Sequence, residues 1–121
     1  YAMLEAYSEG FELLKASAFN LDLHQLAALW LHGSVVRSWL LELAEKAFAG
    51  DPDLSSIKGY VEDSGEGRWT VQEAIDLGVP LDGIAHALFA RFRSRQEDSF
   101  SAKVIAALRH EFGGHPLERN G

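Results

Sequence analysis

Three arginines, Arg91, Arg93 and Arg95, form a short cationic run in a chain that is otherwise acidic, with 11 Lys plus Arg against 18 Asp plus Glu and a net charge of −7. Residues two apart diverge on a helix, so Arg91 and Arg95 share one face while Arg93 points elsewhere. One reading is a solvated helix end whose cations complement the negative end of the helix dipole. The other makes Arg91, one turn past the apolar Leu88, a planar fork for a phosphate or carboxylate. Farther on, Arg109 and His115 flank the string Phe112-Gly113-Gly114. This pattern describes a frayed tail, and equally a tail that its glycines let bend so that an Arg and a His lie against an anion. Residue types alone leave both choices open.

Other chemistries fit less well. His110-Glu111 with His115 is a near miss to a helix-borne zinc motif, because the second His comes one residue late and Gly113-Gly114 interrupts the helix, so no metal site is expected. His24, His32 and His86 have no partner at ligand spacing and read as capping or surface residues. Gly65-Glu66-Gly67 lacks the third glycine, the preceding strand and the downstream acid of a dinucleotide cradle, so this segment by itself is expected to bind no cofactor. The absence of cysteine excludes disulfides, thiolate metal sites and a thiol nucleophile, and fits a reducing compartment. An acidic surface with a pI near 5.1 repels polyanions, so neither nucleic acid nor a membrane is expected as a partner. No stretch approaches the roughly 20 consecutive apolar residues of a membrane helix, and no basic-then-apolar leader opens the chain. We read it as soluble and cytoplasmic.

Helices must position these residues. Met3, Tyr7, Phe11 and Leu14, with Leu4 and Ala6, lie opposite Glu5, Glu9, Glu12 and Lys15, which predicts a helix already running at Tyr1. A helix entered with no cap in front suggests a piece of a longer polypeptide. Asn20 or Asp22 can cap a second helix, which carries Leu23, Leu26, Ala27 and Trp30 and breaks at His32-Gly33-Ser34. Ser34 is expected to cap a third, carrying Val35, Trp39, Leu40 and Leu43 and stopped by Gly50-Asp51-Pro52. Asp53 to Arg68 reads as a long connection, irregular through Asp63-Ser64-Gly65-Glu66-Gly67. Thr70 with Glu73 forms a capping box opening Val71 to Leu77, which Gly78 ends. Asp82 is expected to cap the next helix, with Ile84, Ala85, Leu88, Phe89 and Phe92. The last starts near Asp98 or Ser99, carries Phe100, Val104, Ala107 and Leu108, and frays at Gly113-Gly114. With no period-two alternation anywhere, the expectation is an all-α fold, with residues 1–121 as one helical domain. Helices this apolar in so short a chain are expected to bury surface against a partner subunit, as a homodimer.

Several strings together resemble the C-terminal domain of decarboxylating 6-phosphogluconate dehydrogenases, within the wider β-hydroxyacid dehydrogenase group. They are Tyr1-Ala2-Met3-Leu4-Glu5-Ala6-Tyr7-Ser8-Glu9-Gly10-Phe11-Glu12; Trp30-Leu31-His32-Gly33-Ser34-Val35-Val36-Arg37-Ser38; Gly67-Arg68-Trp69-Thr70 with Gly78-Val79-Pro80; Leu88-Phe89-Ala90-Arg91; and Arg109-His110-Glu111-Phe112-Gly113-Gly114-His115. Each is weak alone, but five in family order across nearly the whole chain are specific. The resemblance is nearest to the short form, in which this helical domain occurs once.

It implies an intertwined homodimer in which a Rossmann domain precedes this segment and holds NADP or NAD. The implied reaction oxidises the 3-hydroxyl of 6-phosphogluconate, releases CO2 and yields ribulose 5-phosphate, a step of the pentose phosphate pathway. The general-base Lys and general-acid Glu would lie upstream of Tyr1, leaving no catalytic residue in this chain, which alone is expected to be inactive. Residue by residue, the resemblance makes Tyr1 and Arg91 ligands of the substrate phosphate, and Arg109 and His115 residues that the tail delivers into the partner subunit's site. One departure stands out: Ser64 and Glu66 occupy positions where long members place a Lys and a Thr as phosphate ligands. Glu66 would repel a phosphate at close range, which leaves room for another phosphorylated sugar acid as substrate. A reading from a different class is a free-standing helical interaction module.

Overall fold

Ala2–Ala16 forms the first helix, α1, with Tyr1 at its N-cap, in a computed structural model that describes all 121 residues. Five more follow: α2, Leu23–Gly33; α3, Trp39–Gly50; α4, Glu66–Leu77; α5, Asp82–Ser94; and α6, Phe100–Gly113. There is no strand, so the fold is all-α, and no helix is long and apolar enough to cross a membrane.

The apolar stripes explain the packing. Phe11 of α1, Leu23 and Ala27 of α2, and Leu41 and Phe48 of α3 close one buried cluster, with the Phe11 ring 5.5 Å from Trp30 and edge-on to Phe48 at 5.0 Å. Such aromatic pairs contribute about 0.5–1.5 kcal/mol beyond the area they bury. Ala74, Ala87 and Leu88 make a smaller core between α4 and α5, and α1 lies against both α2 and α5. Only nine of 121 residues are buried, so large apolar side chains remain on the surface.

Three helix starts differ from expectation. Ser34 does not open α3; its hydroxyl turns back to the Trp30 carbonyl, leaving Val35 and Val36 outside any helix. Ser38 is the cap instead, accepting from the Leu41 amide at 3.1 Å. Tertiary contact decides between the two serines, because the Tyr7 hydroxyl reaches both the Val36 carbonyl and, at 2.9 Å, Ser38 Oγ. α4 starts a full turn before the Thr70-Glu73 box, at Glu66, and Thr70 Oγ1 instead donates to the Glu66 carbonyl inside the helix. Gly67 is tolerated there because the Tyr1 ring needs its bare Cα: a Cβ would fall 2.4 Å from Tyr1 Cε2. Asp82 is the first helical residue of α5 rather than its cap; Leu81 holds that position with no side-chain bond. Asp22 and Ser99 cap α2 and α6, and Gly78 and Gly114 end α4 and α6, as the spacing predicts.

Candidate functional site

α1 and α5 bring Tyr1 and Arg91 together. The Arg91 guanidinium carbon sits 3.7 Å from the centre of the Tyr1 ring, which also packs closely on Gly67. Arg91 Nη1 donates to the Glu62 carbonyl at 3.1 Å and meets no carboxylate, so most of its N–H groups are left for a ligand. The Tyr1 hydroxyl accepts from the Ser64 amide at 3.4 Å. A phenol and a guanidinium thus face one stretch of the long connection, residues 61–64.

Asp63 holds that stretch. Its carboxylate, 6% exposed, accepts from Arg68 Nε at 2.6 Å and Nη2 at 3.3 Å, and it pairs with Arg95 Nη2 at 3.0 Å. The Arg68 hydrogen bond first, and then Arg95, pull the Asp63 pKa down from 3.8 to about 2. A carboxyl held lower in the folded than in the unfolded state stabilises the fold above its ordinary pKa, and that contribution disappears as pH falls through the folded value. The clip is therefore constant across neutral pH and is lost between about pH 4 and pH 2. In acid titrations of stability followed by circular dichroism, Asp63→Asn should flatten that limb; an unchanged limb would show that the pair carries no linkage.

Ser64 and Glu66 stand against each other. The Ser64 hydroxyl donates to the Glu66 carboxylate, and this bond, followed by the Glu66 amide, lowers the Glu66 pKa. An ionised Glu66 in the first turn of α4 suits the helix dipole there.

The tail forms a second assembly. α6 has no buried residue and lies outside the principal helix contacts. Beyond Gly114 the chain doubles back, so that Asn120 Nδ2 reaches Asp98 at the start of α6, at 3.4 Å. This return sets Arg109 Nη2 3.4 Å from His115 Nδ1, with the His115 carbonyl 2.9 Å from His110 Nδ1. A Cβ on Gly113 would lie 2.7 Å from the His115 ring, so a glycine is what lets the imidazole fold back. No hydrogen bond, ion pair or ring contact joins this pair to Tyr1 and Arg91 within the chain.

The sequence reading missed Asp63, whose partners are Arg68 of α4 and Arg95 at the C-cap of α5; only the shared face of Arg91 and Arg95 hinted at it. It also left His24 and His86 unpaired. His24 Nε2 lies 2.7 Å from Glu45, and His86 Nε2 lies 3.6 Å from Glu9, where Glu5, Glu9 and His86 have potential ligand atoms within 4.8 Å of one another. These pairs join separate helices and leave no trace in local spacing.

Residues 54–104 match the family profile described as 6-phosphogluconate dehydrogenase, C-terminal domain. Bacillus subtilis YqeC, provisionally named a 6-phosphogluconate dehydrogenase, is 51% identical over 119 residues, 98% of this chain and 40% of its own length. The NAD(+)-dependent, decarboxylating 6-phosphogluconate dehydrogenase of Haloferax volcanii is 45% identical over 120 residues, with the same two shares of 98% and 40%. The decarboxylating enzyme of Chlamydia pneumoniae is 32% identical over 126 residues, 95% of this chain and 26% of its own. The chain thus spans at most about 40% of these relatives. Across nearly its whole length the chain is similar to the C-terminal helical domain of 6-phosphogluconate dehydrogenases, and its middle segment matches that domain's family profile.

Proposed function

We propose that this chain is the substrate-binding and dimerisation domain of an enzyme that oxidises and decarboxylates 6-phosphogluconate to ribulose 5-phosphate and CO2, with NADP or NAD as hydride acceptor. The observation that supports it best is Arg91, a guanidinium without a carboxylate partner, stacked on a phenol whose hydroxyl lies at the same loop. Charge-assisted donors of this kind contribute about 1.5–3 kcal/mol each to holding an anion. Arg109 and His115, on an arm that leaves the rest of the chain, would complete the pocket of a second copy. In this reading the cofactor, the general base and the general acid are assigned to other parts of the enzyme, which acts in the cytoplasm.

The test is turnover by the complete protein, supplied with 6-phosphogluconate and each nucleotide in turn. Reduced cofactor and CO2 should appear in equal amounts; no reduction with either nucleotide would refute the reading. The ionised Glu66, bonded by the hydroxyl of Ser64, whose own amide reaches the Tyr1 hydroxyl, favours a second reading in which another phosphorylated sugar acid is the better substrate. A substrate panel ranked by kcat/KM separates the two.

A further inference from the structure

Backbone hydrogen bonds do not hold the segment that faces Tyr1 and Arg91. After the Tyr60 amide, which bonds the Lys58 carbonyl, the next backbone pair is Trp69 to Gly65, already inside α4. Between them every hold comes from a side chain. The Val61 amide donates to Ser94 Oγ at 2.9 Å, and the Val61 carbonyl accepts from Arg95 Nη1 at 3.0 Å. The Glu62 carbonyl accepts from Arg91, and the Ser64 amide reaches Tyr1. Asp63 lies at the centre, its carboxylate shared between Arg68 of α4 and Arg95, the residue that caps the end of α5, and both guanidiniums lie near the Phe92 ring, at 4.6 and 5.4 Å from its centre.

We propose that Asp63 is a positioning residue for the substrate phosphate: by binding Arg68 and Arg95 together it fixes residues 61–64, and through them the directions of Arg91 and Tyr1. Two like charges around one phenyl ring repel unless an anion lies between them. Without the carboxylate, Arg68 and Arg95 separate, the loop loses its anchor on α4, and Arg91 loses the carbonyl that orients its fork. An opposite outcome is physically available. If Asp63 only masked positive charge, its removal would leave three free guanidiniums near the site and strengthen anion binding. The two accounts predict opposite signs, which makes the direction of the change decisive.

The inference rests on Arg91 and Tyr1 acting at the phosphate, so the experiment carries a control for that reading. In the complete enzyme, KM and kcat for 6-phosphogluconate are measured for Asp63→Asn, Asp63→Glu, Ser94→Ala and Arg91→Ala. Positioning predicts that Asp63→Asn raises KM about tenfold with kcat within about twofold, and that Asp63→Glu restores part of the loss. Ser94→Ala should move KM in the same direction, by a smaller factor, because it loosens Val61 without altering any charge. A lower KM in Asp63→Asn overturns the proposal, as does an unchanged KM in Ser94→Ala; the latter decides alone if the Asn variant fails to fold. If Arg91→Ala raises KM while the Asp63 and Ser94 variants do not, positioning fails and the phosphate reading stands. If Arg91→Ala leaves KM unchanged, both fall.

Discussion

Arg91→Ala should raise KM for 6-phosphogluconate by about 10- to 100-fold in the complete enzyme, with little change in kcat. The size follows from the geometry. Arg91 spends one N–H on the Glu62 carbonyl and pairs with no carboxylate, so its charge is not neutralised within the chain. A charge-assisted bond contributes about 1.5–3 kcal/mol, and each 1.4 kcal/mol is a tenfold change in binding. Truncation also removes the stack on Tyr1, a loss that would appear as destabilisation rather than as selective weakening of phosphate binding. Two comparisons separate these effects. Unphosphorylated gluconate should show no added penalty in the variant, because the lost contact is to the phosphate. Arg91→Lys keeps a cation but not the planar fork, and should recover only part of the affinity. Equal KM values for wild type and Arg91→Ala would remove the guanidinium from the phosphate site.

The helices were legible because their stripes are local: Tyr7, Phe11 and Leu14, or Leu88 and Phe92, mark the inward face at helical spacing, although Met3 on the same stripe stays exposed. Cap choice was less legible wherever two residues of the right type compete. Ser34 has the right type for the cap, but Ser38 takes it, because Tyr7, from another helix, bonds Ser38. Thr70 with Glu73 imitates a helix start, yet α4 gains a turn because the Tyr1 ring covers Gly67 and Glu66 supplies an acidic first turn. The polar architecture of the site was least legible. Asp63 draws together Arg68 of α4 and Arg95 at the end of α5, and the tail brings His115 back to Arg109 by a turn that the glycines permit without requiring. Local sequence identifies which residues can bind an anion; which of them meet depends on how the helices pack.

The apolar face of α6 leads to the largest expected effect. Phe100, Val104, Leu108 and Phe112 recur every fourth residue along this helix, and none is buried; Phe100 is 77% and Phe112 78% exposed. The returning tail lies beside Lys103, Ala106 and Ala107, so the arm satisfies one side of itself and leaves the stripe open. An apolar stripe of this length is costly in water, at about 25 cal/mol for each Å² left exposed, and is stabilised by docking. In the dimer reading, docking on a second copy also delivers Arg109 and His115 to that copy's phosphate site, so assembly and affinity are one property. The double variant Val104→Asp with Leu108→Asp should then sediment as a monomer and lose at least about a hundredfold in kcat/KM, the equivalent of two charge-assisted contacts. Arg109→Ala in an intact dimer should reproduce part of that kinetic loss with no change in sedimentation. A monomeric double variant that retained full activity would separate assembly from catalysis and leave the arm with a purely structural role. A double variant that remained dimeric would place the interface elsewhere on the molecule.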